Sequence, residues 1–229
     1  YQAIGEGRPI LFCNGLGGSW EAWSHQMQAF RDRYRVLSWD YRGMYRSGAP
    51  RNAGATSVAD HAQDALALLR EEGADRAALV GWSMGVQVAL EIFRAAPEKV
   101  ASIAMVNGVA GRPWDYVFNL SFVGRVLPPF LRGLRSMPRM IEGLVRQVTR
   151  LPDPGDWVRR TGLAAGTFDA QVGDEVIAKF RTLDMDRFIS QLEKMGEHDA
   201  WDLLPLIDVP VLIVAGTRDV FTPRSAAER

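Results

Sequence analysis

The residues Gly81-Trp82-Ser83-Met84-Gly85 match Gly-x-Ser-x-Gly, and their surroundings suit a nucleophilic hydroxyl. The apolar run Ala77-Ala78-Leu79-Val80 predicts a strand that ends at the serine. Directly after it, Gly85, Val88, Ala89, Ile92 and Ala96 repeat at helical spacing, and Pro97 marks the stop. A turn this tight needs glycine on both flanks, because a side chain at Gly81 or Gly85 would clash as the chain reverses. Ser83 would then stand at a helix amino terminus, where the Met84 N–H and the positive end of the helix favour a developing oxyanion. The chemistry implied is attack by a hydroxyl on an acyl carbon.

An oxyanion needs a second donor. Asn14-Gly15-Leu16-Gly17-Gly18 is a glycine-rich loop directly after the apolar run Ile10-Leu11-Phe12-Cys13, and Leu16 is its expected donor, with Gly15 in support. Ser19 is expected to cap the helix that follows. A phosphate cradle is the competing use of such a loop, but no Gly-Lys-Ser/Thr follows and the further glycine of a dinucleotide fingerprint is missing. Cys13, the single cysteine, lies within the apolar run and reads as core rather than as a nucleophile.

Activating a serine takes a base and an acid that orients it. Gly216-Thr217-Arg218-Asp219 follows the apolar run Val211-Leu212-Ile213-Val214-Ala215, so Asp219 is the leading acid; its alternative role is a turn aspartate that satisfies local amides or caps the helix begun at Thr222-Pro223. The three histidines, His25, His61 and His198, all precede Asp219. The first two fall in helical stretches. His198, between Glu197 and Asp199, is the one alternative base, and otherwise a structural residue.

Five apolar runs, Ile10 to Asn14, Arg35 to Asp40, Ala77 to Gly81, Ala101 to Asn107 and Val211 to Gly216, read as buried strands alternating with helical segments. That alternation predicts an α/β fold with a mostly parallel sheet. Ser57 and Asp60 form a capping box for a helix whose apolar face is Val58, Ala62, Ala65, Leu66 and Leu69. From 112 to 199 the alternation breaks, and prolines at 113, 128, 129, 138, 152 and 154 separate short amphipathic pieces such as Met140, Ile141, Leu144, Val145 and Val148. This reads as a helical lid inserted between a first core part, 1–111, and a second, 200–229. Its aromatics Trp114, Tyr116, Phe118, Phe122 and Phe130 would line an apolar pocket together with Trp82, or else pack the lid helices.

Equal numbers of basic and acidic residues, 27 each, leave no basic surface excess for nucleic acid or anionic lipid. No apolar stretch reaches the ~20 residues of a membrane span, and no signal pattern opens the chain. The expectation is a cytoplasmic protein, although the chain starts at Tyr1.

These stretches together resemble the α/β-hydrolase superfamily, in its lidded esterase, lipase and peptidase-like branch, along the whole chain. The likeness rests on the Asn14-Gly15 loop, Asp40-Tyr41-Arg42-Gly43 with Ser47, the Ser83 elbow, and Val209-Pro210-Val211-Leu212-Ile213 running to Gly216 and Asp219. Two departures stand out: Asn14 replaces a customary histidine, and Met44-Tyr45-Arg46 interrupts Arg-Gly-x-Gly-x-Ser. The resemblance implies a serine hydrolase acting on a small ester or related acyl compound through an acyl-enzyme, with no metal or organic cofactor. A non-catalytic binding or interaction module on the same scaffold is the alternative. The family order Ser, Asp, His further implies a chain truncated at both ends, lacking roughly 30 to 60 carboxyl-terminal residues that carry the histidine loop, and nearly inactive as it stands.

Overall fold

A computed structural model describes residues 1–117, 122–137, 143, 178–180, 182–219 and 221–228. Six strands form one sheet: β1 (Gln2–Ile4), β2 (Arg8–Cys13), β3 (Tyr34–Ser38), β4 (Ala77–Trp82), β5 (Val100–Val106) and β6 (Val211–Val214), in the order β1-β3-β2-β4-β5-β6. Only β1 runs antiparallel, against β3; the other pairings are parallel. The described helices are α1 (Ser24–Phe30), α2 (Val58–Glu71), α3 (Met84–Ala95), α4 (Val123–Arg135), α5 (Met185–Glu197) and α6 (Arg224–Ala227).

Strand alternation divides the core between the two faces of the sheet. Ile10, Phe12 and Val36 meet Trp23 and Met27 of the α1 side, while Leu11, Cys13, Leu37 and Leu79 pack with α2 and α3. The capping box on α2 forms in full: the Ser57 hydroxyl accepts from the Asp60 N–H, and the Asp60 carboxylate accepts from the Ser57 N–H. The expected apolar face is buried, and it includes a residue that composition did not flag. His61 is fully buried and stacks on the Tyr41 ring at 4.4 Å.

Among the described residues neither His61 ring nitrogen has a partner at hydrogen-bond geometry, although the Gln191 side chain lies near the ring. Burial pushes the imidazole down to about 4, with the carboxylates of Asp64 and Asp60 and the Gln191 side chain of α5 opposing that shift and Arg42 adding to it. An unfolded chain takes up this proton near pH 6.5 and the folded one only near 4, so stability is full above about 6.5 and is lost as pH falls toward 4. Between pH 7.5 and 5 the loss should be roughly 2 kcal/mol. Urea denaturation at both pH values should show it in the wild type and show most of it gone in His61→Phe. Equal slopes in the two proteins would refute the assignment.

Three sequence expectations differ. Ser19 makes no side-chain capping bond, because a short 3-10 turn, Trp20–Trp23, intervenes before α1. Pro128 and Pro129 do not separate segments but lie inside α4, where Leu131 is buried and Val123, Leu127 and Leu134 pack on the core; that burial offsets the backbone bonds the prolines forgo. The last strand ends at Val214 and is not buried. Among the described residues it pairs on one side only, and Val211, Leu212, Ile213 and Val214 are 43%, 60%, 52% and 45% exposed. Met140, Ile141, Leu144, Val145 and Val148 lie outside the described residues. Among the described residues no helix is long and apolar enough to cross a membrane.

Candidate active site

Ser83 sits between the end of β4 and the start of α3 with φ 54° and ψ −118°, a left-handed conformation that costs a non-glycine residue about 1–3 kcal/mol. The flanks explain how it is held. A Cβ on Gly81 would overlap the Gly85 carbonyl oxygen and lie 2.6 Å from the Val86 nitrogen. One on Gly85 would overlap the Cys13 carbonyl oxygen and lie 2.9 Å from that of Asn14. The Ser83 N–H donates to the Val106 carbonyl at the end of β5, and the Ser83 carbonyl accepts from Val86. The elbow is thus clamped between β2 and β5. Met84 is the first residue of α3, so its N–H has no acceptor within the helix.

The loop after β2 turns through Gly15-Leu16-Gly17-Gly18, closed by the Gly18 N–H on the Gly15 carbonyl at 3.0 Å, with Gly17 at φ 75°. Positive φ at the third turn position is the glycine requirement of a type II turn, and the Leu16 N–H takes no part in closing it. The Trp82 ring lies where a Cβ on Gly15 would come within 3.0 Å of it. Both departures from the family pattern brace this loop. Asn14 is fully buried; its Nδ2 donates to the Trp39 carbonyl at 2.5 Å and its own carbonyl accepts from the Tyr41 hydroxyl at 2.6 Å. Tyr45, at φ 45° where the pattern has glycine, donates its hydroxyl to the Gly17 carbonyl. The Asp40 carboxylate joins the two loops by accepting from the Trp20 and Arg46 N–H groups. Cys13 is wholly buried, and burial pushes its thiol up, which fits core packing and not nucleophilic use.

A cavity of about 480 Å³ opens beside Ser83. Leu16, Trp82, Met84 and Trp114 line it, with Gly15 in its wall, and so do Gln87, Val109, Phe188, Leu192, Met195 and Phe221, none of which the sequence had singled out. Phe118 lies outside the described residues. Phe122 and Phe130 do not line the cavity; they are 56% and 60% exposed, on the face of α4 turned from the core.

Asp219 is held by its own turn. Its Oδ1 accepts from the Phe221 and Thr222 N–H groups at 2.9 Å each, and its Oδ2 accepts from the Thr222 hydroxyl at 2.8 Å. That is the local capping expected of a turn aspartate. It leaves acceptor capacity on Oδ2, and Phe221 and Thr222 bring the turn to the cavity wall. Asn107 braces the same turn from β5: left-handed at φ 43°, it accepts from the Gly216 N–H on its Oδ1 at 2.8 Å. An asparagine directly after a buried strand is the signal that could have found it.

None of the three histidines lines the cavity. His25 is exposed on α1, His61 is under Tyr41, and His198 Nε2 meets Glu91 Oε1 at 2.8 Å on the far part of α3. Beside that pair Arg94 binds Asp202 through two bonds of 2.6 and 2.9 Å, so this group seats the chain leading to β6 on α3. Among the described residues no three His, Cys, Asp or Glu side chains gather as a metal site.

A mostly parallel sheet with helices on both faces and a strained serine turn beside an apolar cavity defines an α/β-hydrolase architecture. Residues 8–229 match the alpha/beta hydrolase fold family, and the chain belongs to it. It is 29% identical over 223 residues to a protein of Azorhizobium caulinodans named as a carbamate hydrolase, RutD, covering 97% of this chain and 78% of that one. A protein of the same name from Klebsiella pneumoniae subsp. pneumoniae is 34% identical over 227 residues, covering 96% and 77%. The enol-lactonase from Burkholderia xenovorans LB400 superposes with a TM-score of 0.74 at 23% identity, over 99% of this chain and 81% of that one. The chain is therefore a hydrolase-family member on an α/β scaffold.

Proposed function

We propose that the parent protein is a serine hydrolase that opens a small ester, carbamate or lactone through an acyl-enzyme on Ser83. The observation that carries the reading is the strained Ser83 turn at the amino end of α3, opening on an apolar cavity whose wall includes Leu16 and Met84. Ser83 Oγ attacks the carbonyl carbon, the Leu16 and Met84 N–H groups take up the charge on its oxygen, and the leaving group departs with the proton. Water then attacks the acyl-enzyme and frees Ser83. The names of the relatives agree with this class, since carbamates and lactones both react at an acyl carbon.

The scheme needs a histidine base beside Ser83, which the free acceptor capacity of Asp219 would orient. His25, His61 and His198 do not line the cavity, so none of them fills that role in the described geometry. Trp114 and the α5 residues Phe188, Leu192 and Met195, which line the cavity, form the described part of the proposed lid. The test is fluorophosphonate labelling of the protein from the full open reading frame, followed by peptide mapping. A single adduct on the peptide bearing Ser83 is expected. Absence of any adduct there would favour a binding module on the same scaffold.

A further inference from the structure

Gln87 stands one helical turn after Ser83 on α3, on the same face, and lines the same cavity. It is 1% exposed. Its Nε2 donates to the Met195 carbonyl of α5 at 3.1 Å, which fixes which end of the amide faces the helix backbone, while its Oε1 has no partner among the described residues. The other cavity side chains do not share this state. Thr222 gives its hydroxyl to Asp219, Ser83 is the nucleophile of the proposed reaction, and the rest of the wall, indole N–H groups aside, is hydrocarbon, thioether and glycine. An amide oxygen without a partner among the described residues, on a side chain that lines an apolar cavity, is an acceptor awaiting a donor, and a buried acceptor without one is disfavoured strongly enough to decide between ligands.

We propose that Gln87 selects the substrate: its Oε1 accepts a hydrogen bond from an O–H or N–H group carried within a few bonds of the scissile carbonyl. Helical side chains lean toward the amino terminus, so the Gln87 amide reaches back over the turn that holds Ser83. The single-turn offset from Ser83 limits the donor to the near part of the substrate. The preferred compounds are short acyl derivatives bearing such a donor, and plain alkyl esters of equal size are poorer. The proposal rests on Ser83 being the nucleophile.

Two matched pairs of p-nitrophenyl substrates test it: 3-hydroxybutanoate against 3-methylbutanoate for an O–H donor, and N-ethylcarbamate against butanoate for an N–H donor. The quantity read is the kcat/KM ratio within each pair, compared between wild type and Gln87→Met, so that intrinsic reactivity cancels. In at least one pair the donor-bearing member should lose about ten- to hundredfold relative to its partner in the variant. Gln87→Asn, which keeps an amide but withdraws it by one methylene, should shift the same ratio in the same direction and serves if the methionine variant does not fold. Unchanged ratios in both pairs, with the Ser83 adduct still forming, would overturn the Gln87 assignment and leave the serine mechanism standing. Loss of the Ser83 adduct in the wild type would overturn both.

Discussion

Ser83→Ala should lower kcat/KM for a p-nitrophenyl ester by on the order of 10⁴ to 10⁶ in the full-length protein, with its unfolding midpoint little changed. The size follows from the proposed role of the hydroxyl: without Oγ no acyl-enzyme would form, and the proposed Leu16 and Met84 donors could only polarise a carbonyl toward bulk water. The unchanged stability follows from the backbone. Alanine pays the same penalty as serine at φ 54°, so the strain is neither added nor relieved. Ser83→Gly separates the two effects. It should be equally inactive, yet at least as stable as the alanine variant, because relief of about 1–3 kcal/mol of strain outweighs the ~1 kcal/mol of extra chain entropy that glycine loses on folding. Residual activity above a hundredth of wild type in either variant would remove Ser83 as the nucleophile.

The strained turn was legible because its requirements are local: two glycines, a strand before and a helix after. So was the α2 capping box, which spans only four residues. Gln87 was not legible. Between Val86 and Val88 it reads as a polar position on a helix, and its burial depends on Met195, 108 residues further on. Tyr45 shows a finer limit. Its departure from the glycine pattern was visible, but not that its hydroxyl would reach the Gly17 carbonyl and brace the loop it seemed to disturb. At Val211 to Val214 the apolar residues were read as burial, whereas composition says what a strand can bury and not what lies against it. The short antiparallel β1, three residues long, has too little periodicity to be read at all.

Gly85→Ala and Gly133→Ala make the same chemical change in two helices, and the two should act in opposite directions. Helix propensity alone favours alanine by about 1 kcal/mol at either place. At Gly133, in α4, no described residue lies within 4 Å of the added carbon, so that gain should appear as an increase of about 0.5–1 kcal/mol in urea unfolding. At Gly85 the added carbon meets the carbonyl oxygens of Cys13 and Asn14, which are backbone atoms of the central strand β2 and of the glycine-rich loop that follows it. A side chain could swing away; these cannot. Either α3 lifts from the sheet or β2 is displaced, and overpacking of this kind costs about 3 kcal/mol or more, several times the propensity gain. The displacement would also move apart the two N–H donors of the proposed oxyanion site, since Leu16 lies two residues after Asn14 and Met84 directly precedes Gly85. Turnover should therefore fall by more than tenfold even under conditions where the variant is fully folded. A Gly85→Ala protein with wild-type stability and activity would show that the approach of α3 to β2 is looser than the geometry states, and with it the pairing of Leu16 and Met84 around one oxygen.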